Sequence, residues 1–225
     1  MKKLLLLVTA VCSCFAANAQ TSKGSQTLGF NLGYTYDKSD ETLHNSFDGT
    51  VSDAKTKVTD FSVGPVYSYF IADKWDIGVS LQYDALVEND YPIDGMFGEK
   101  ETVNRYSTAI FLRKYCMFTD KIGIRSGPHV GYYREHAKAV GTGTEANPDN
   151  DLNSTTHAFS AGLNLDLVFY PSKNIGVAAS IANLQYTHAK TKTLPSHDDK
   201  TDEKFNLNVI SNGLLISVFY VFAGK

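Results

Sequence analysis

Eight stretches of this chain place apolar residues at every second position, and no other feature limits the possible folds so strongly. In the last stretch Leu214, Ile216, Val218, Tyr220 and Phe222 alternate with other residues almost to the end of the sequence. Period two is the signature of a β-strand with one face against an apolar medium. An apolar strand at the edge of a sheet leaves a row of backbone donors and acceptors unpaired. Pairing it with the first strand closes a barrel and removes the edge.

The other stretches repeat the pattern. Leu28 to Tyr36 sets Leu28, Phe30, Leu32, Tyr34 and Tyr36 against Gly29, Asn31, Gly33 and Thr35. Val58 to Ile71 and Trp75 to Val87 follow, the latter alternating Trp75, Ile77, Val79, Leu81 and Tyr83 with Asp76, Gly78, Ser80, Gln82 and Asp84. A weaker stretch covers Val103 to Phe118. Ile122 to Glu135 and Phe159 to Phe169 are clear. Two stretches change phase: Ile175 to Tyr186 after Ile181, and the last, from Phe205, before Leu214. One extra residue in a strand shifts the phase in this way, so bulges are expected near Asn183 and Asn212.

The connections also alternate. Ala72 to Lys74, Thr119 to Asp120 and Pro171 to Asn174 read as tight turns, whereas Lys38 to Lys55, Asn89 to Lys100, Gly141 to Ser154 and Thr191 to Lys204 read as long polar loops. Short turns on one side and long loops on the other is the layout of an outer-membrane barrel. The fold class expected is therefore all-β, an eight-stranded antiparallel up-and-down transmembrane β-barrel, with both termini on the short-turn side. A lipocalin-type barrel, apolar inside and wet outside, has the same periodicity. The polar face here is mostly Gly, Ser, Asn and Asp, which suits a cramped interior rather than a solvated exterior. Aromatics near the strand ends, Trp75, Tyr67, Phe169 and Phe222 at one rim and Tyr34, Tyr83, Tyr132 and Phe159 toward the other, match two interfacial girdles. Pro65 and Pro128 each remove a ladder donor and fit this scheme least well.

The N-terminus has the form of a targeting segment. Lys2 and Lys3 precede an apolar run from Leu4, and Ala17-Asn18-Ala19 offers a cleavage site before Gln20. Residues 1–19 are read as a cleaved signal peptide and 20–225 as one barrel domain. A competing lipoprotein reading places the modified residue at Cys14. Cleavage leaves Cys116 as the remaining cysteine, which excludes a disulfide-stapled scaffold. It also moves the formal charge from -3 to about -5, which gives no support for nucleic-acid binding.

The signal ending Ala17-Asn18-Ala19-Gln20, the eight-strand layout, the run Phe111-Leu112-Arg113-Lys114-Tyr115 and the closing Tyr220-Val221-Phe222 resemble small outer-membrane barrels of the OmpA/OmpX-like, porin-family type. The resemblance covers about Ser25 to Phe222. It implies export through the periplasm of a Gram-negative bacterium and insertion by the barrel-assembly machinery, for which Tyr220 and Phe222 are the terminal strand signal. Ala223-Gly224-Lys225 after Phe222 depart from that signal.

The inward face would carry Asp60, Asp76, Asp84, Arg105, Arg113, Arg125, His129, Glu135 and Asp166. Counted from the turns, Arg105 lies opposite Glu135, Phe111 opposite His129 and Asp166 opposite Ser180. Charges in a narrow interior need partners, so a polar plug is expected, with a structural or surface-interaction role. A small porin-like channel, gated at His129, is the alternative. A lipid-modifying enzyme would use Ser126, His157 and Glu135, but no nucleophile-elbow motif accompanies them; no enzyme activity and no cofactor is expected. The histidines lack metal-ligand spacing, and Gly141-Thr142-Gly143-Thr144 lacks the Lys and Ser/Thr of a phosphate loop. Acidic residues in the long loops, among them Asp48, Asp94 and Asp199, would contact divalent cations or merely solvate the surface. The expected partners are outer-membrane lipids and lipopolysaccharide, with the chain a monomer.

Overall fold

The computed structural model describes residues 21–224 except 45–50, 93–97, 143–151, 195–197 and 210–213. The expected leader, the cleavage site and Asn212 lie outside the described residues. Nine strands are distinguished: β1 Gln26–His44, β2 Val51–Ala72, β3 Trp75–Pro92, β4 Gly98–Met117, β5 Ile122–Thr142, β6 Leu152–Phe169, β7 Ile175–Leu194, β8 Asp198–Val209 and β9 Leu214–Phe222. Successive strands pair antiparallel from β1 to β7, and β9 pairs with both β7 and β1. The ring therefore closes through eight strands, with β8 continuing the line of β9 along the upper half of β7.

Closure follows from the medium the outer face suits. In hydrocarbon every backbone polar group must find its partner within the sheet. The outward residues are large and exposed, as Phe30, Leu81, Ile110, Val130, Leu163 and Phe222 illustrate. On β5 this apolar face runs from Ile122 to Tyr132. Ten residues rise roughly 33 Å along a strand, or about 25 Å after tilt, the height of a bilayer's apolar band. The upper girdle comprises Tyr36, Tyr106, Tyr132, Phe159 and Tyr186, and Trp75, Phe169 and Phe222 mark the lower one.

Among the described residues, the segments expected from composition to be long loops are strand. β5 continues ten residues beyond Tyr132 to Thr142, and β1 and β2 stay paired as far as His44 and Val51. Composition misled because these extensions are polar on both faces, as a sheet standing in water can be. At the opposite end the turns are tight. Thr119 caps one, its Oγ1 accepting from the Ile122 amide at 3.0 Å, and Asn174 in another donates Nδ2 to the Val221 carbonyl at 3.0 Å. Both ends of the described residues lie there: Gly24 N–H donates to the Phe70 carbonyl at 2.9 Å, and the Gly224 amide reaches Ser25 Oγ at 3.3 Å.

Irregularities occur where the phase changes. Leu165 pairs with Ala182 but Asp166 pairs with Ser180, so the β7 bulge is at Ile181, two residues before the expected Asn183. Between Ala179 and Ala182, β7 passes from β9 to β8: Ala179 faces Ile216 and Ala182 faces Val209. The two prolines resolve in a common way. Each follows a glycine, and at Gly64-Pro65 and Gly127-Pro128 the regular pairing with β3 and with β4 is interrupted. There the neighbouring backbone comes so close that a Cβ on Gly64 would sit 1.9 Å from the Leu81 carbonyl oxygen, and one on Gly127 1.9 Å from that of Leu112. Proline needs no ladder acceptor at these points and glycine allows the approach.

Alanine at Gly64 or Gly127 is therefore expected to lower stability by about 1–3 kcal/mol. Gly141→Ala, where nothing lies within 4 Å of the added carbon, is the neutral control. Urea unfolding of the detergent-folded barrel, followed by tryptophan fluorescence, measures both.

Candidate functional site: a sealed and charged lumen

Alternation turns the polar face of each strand into the lumen, and the tight turns set the register that brings charges together. Asp76 on β3 pairs directly with Arg113 on β4. Arg113 donates Nε to Oδ1 at 3.0 Å and a terminal nitrogen to Oδ2 at 2.6 Å. Ser68 Oγ and Tyr115 Oη also donate to Oδ2, at 2.7 and 3.0 Å, and Ser68 Oγ lies 2.7 Å from Thr27 Oγ1. This carboxylate has no solvent exposure. Four hydrogen bonds, two of them from the bidentate guanidinium, compensate the loss of water that makes a buried charge costly.

Arg125 faces Asp166 across β5 and β6, with Nε donating to Oδ2 at 2.7 Å. Higher in the barrel Arg105 faces Glu135 across β4 and β5, donating Nε to Oε2 at 2.8 Å. This third pair is half open, with 43% of the arginine side chain exposed. Gln82 donates to Asp84 at 2.7 Å. Asp60 faces inward at the same level, with Thr35 and Leu86 as its strand neighbours. His129 lies opposite Phe111 and Gly162, with Nδ1 buried and no hydrogen-bond partner. All nine charged or ionisable residues expected inside thus occupy the inward face; six of them form three arginine–carboxylate pairs on neighbouring strands.

Below these pairs lies a seal that polarity-based reasoning missed. Phe70, Tyr115, Met117, Val168, Tyr170, Ala178, Phe219 and Val221 form a buried cluster inside the barrel at the short-turn end. Phe70 packs on Tyr115 with ring centroids 5.3 Å apart, and Tyr170 meets Phe219 edge-on at 5.9 Å. The signal for them was present: Tyr69-Phe70-Ile71, Leu167-Val168-Phe169-Tyr170 and Phe219-Tyr220-Val221-Phe222 are apolar at consecutive positions, so both faces are apolar at the strand ends. Above the seal is a cavity of about 340 Å³, bordered by Asn31, Arg113, Arg125, Asn164, Asp166 and Asn183. Its amides bond to each other and to serine, Asn183 to Asn164, and Ser217 to Asn31 at 2.6 Å.

The residues considered for catalysis are not brought together. Ser126 pairs with Leu165, whereas His157 pairs with Arg134 eight residues further along β5, roughly 26 Å away along the strand. His157 Nδ1 lies 2.6 Å from Tyr132 Oη instead. Among the described residues no three His, Cys, Asp or Glu side chains are grouped as a metal site.

No family model and no curated protein matches the chain. Among solved structures it is similar to the outer membrane protein OprG from Pseudomonas aeruginosa, at 15% identity over 91% of this chain and 99% of that one, with a TM-score of 0.45. A major outer membrane protein from Thermus thermophilus gives 12% identity over 88% and 99%, TM-score 0.43. Ail, the attachment invasion locus protein of Yersinia pestis, gives 10% over 89% and 99%, TM-score 0.35. Independently of these likenesses, a closed ring of eight strands, an apolar outer band between aromatic girdles and a charged interior define the class: this is an outer-membrane β-barrel protein.

Replacing Asp76 by Ala would leave Arg113 buried and unpaired, at a cost of roughly 3–5 kcal/mol. The double variant Asp76→Ala/Arg113→Met is expected to recover much of that loss. Arg105→Ala, at the wetter pair, should cost less than about 1 kcal/mol. Urea titrations of the three variants beside the wild type check this order.

Proposed function

We propose that this protein is a non-conducting barrel with a structural or surface-interaction role. The observation that carries the reading is the seal. The lower lumen is filled by stacked aromatics and by the Asp76–Arg113 pair, leaving the cavity above it blind toward the short-turn end. The strand extensions support the surface role: ten residues of β5 beyond Tyr132 carry that strand well clear of the apolar band. Export by cleavage after Ala19, insertion by the barrel-assembly machinery and a monomeric state belong to the same reading. Tyr220 and Phe222, both outward on β9, are the residues that machinery would engage.

A small channel is the second reading, and the 340 Å³ cavity with His129 above it is what favours it. Planar-bilayer recording separates the two. The wild type should give no steady openings, while Tyr170→Ala/Phe219→Ala, which hollows the seal, should conduct. Steady wild-type conductance would reject the plug. Gel mobility with and without boiling tests the barrel itself: the unboiled form should migrate differently from the boiled chain.

A further inference from the structure

From β2 to β5 the charged residues above the upper girdle are sorted by face, whereas on β8 the order is reversed, with Lys200 and Lys204 inward and Asp199 and Glu203 outward. Inward, toward the lumen mouth, are Asp60, Asp84, Glu88, Glu101 and Glu135, joined by Arg105. Outward, on three adjacent strands, the charges are basic. Arg134 on β5 pairs with His157 on β6, which pairs with Lys190 on β7, so the three form one row across the wall. Lys138 and Lys192 extend the patch upward, and all five side chains are exposed. This row is two residues above Tyr132 and Phe159 on their strands, roughly 5 Å higher after tilt, which is where lipid phosphates lie. The neighbouring acids are on β8: Glu203 reaches His188 at 3.4 Å and Asp199 reaches Lys192 at 4.0 Å. Those contacts are at one margin and do not involve Arg134.

A second observation falls on the same wall. Six residues down β6 and β7 from His157 and Lys190, Leu163 and Leu184 border an apolar hollow of about 300 Å³ with Leu165, Ala182 and Leu207. It lies beside the Ile181 bulge, where the wall departs from a regular sheet. A cationic row at phosphate height, with an acyl-sized hollow beneath it, matches an amphiphile carrying phosphate at its head.

We propose that the outward face of β5–β7 is a binding site for a phosphorylated outer-leaflet lipid, its phosphate held by Arg134 and Lys190 and an acyl chain lodged against Leu163, Leu184 and Leu207. The site rests on the outer-membrane reading and adds to it a specific lipid class and location. Long basic side chains that can bend toward the interface suit this role, and each cation near an anionic headgroup strengthens binding by roughly 5-fold.

The test uses full-length barrel in phosphatidylcholine nanodiscs containing either bisphosphorylated lipid A or the same lipid stripped of phosphate, with bound lipid counted by native mass spectrometry. Wild type should retain the phosphorylated form preferentially. Arg134→Glu/Lys190→Glu should lower that retention by at least about 20-fold, while Lys57→Glu on the far wall should not. Millimolar inorganic phosphate should leave retention unchanged. Equal retention of both lipids, undiminished retention by the double variant, or displacement by free phosphate would overturn the site. Boiled and unboiled gel mobility is read on each sample: a wild type that never inserts rejects the membrane reading, whereas one that inserts without lipid preference rejects this site alone.

Discussion

A backbone amide in hydrocarbon has only the neighbouring strand to bond with, and the rest of this molecule is arranged around that requirement. β9 satisfies it by pairing with β1 from Gln26–Phe222 to Tyr34–Leu214 and with β7 up to Ala179. Above that level β8 stays with β7, and among the described pairings the upper part of β1 bonds only to β2. The β8 sequence there, Asp198-Asp199-Lys200-Thr201-Asp202-Glu203-Lys204, is dense in charge. Charged edges discourage pairing with other chains, and in this stretch of β8 water can satisfy the backbone groups that β1 does not.

Closing only eight strands leaves a narrow interior that side chains can fill. Two kinds of filling meet here. The apolar seal at the short-turn end needs no partners and packs like a small core, with Phe70, Tyr115, Tyr170 and Phe219 supplying its bulk. The charged layer above needs every partner in place, and neighbouring strands provide them because Asp76 and Arg113, and likewise Arg125 and Asp166, are direct cross-strand pairs. Tyr115 joins the layers, with its ring in the seal and its hydroxyl on Asp76. Apolar contact excludes water, and the ion pairs fix the registers of the strands that make it.

The upper barrel obeys the same alternation in water. On β5, β6 and β7 the outward charges there are basic, Arg134, Lys138, Lys190 and Lys192, while Glu135 faces the mouth beside Arg105.

Alternation by itself determined much of this protein. It marks each strand and divides every segment into two faces. Counting from a tight turn then gives cross-strand neighbours, which is why Arg105 opposite Glu135 and Phe111 opposite His129 are legible without coordinates. It also locates the phase change to within two residues of Ile181. Tertiary structure alone decided what no turn connects. The pairing of β9 with β1, and with it the Ser217–Asn31 bond, joins residues from opposite ends of the chain. The strand extensions were hidden because period two is lost when both faces meet water. The seal was hidden for the converse reason: where both faces are apolar, alternation vanishes, and only ring closure shows that one of them faces inward. A periodicity reports the difference between two faces, and it is silent wherever the barrel makes them alike.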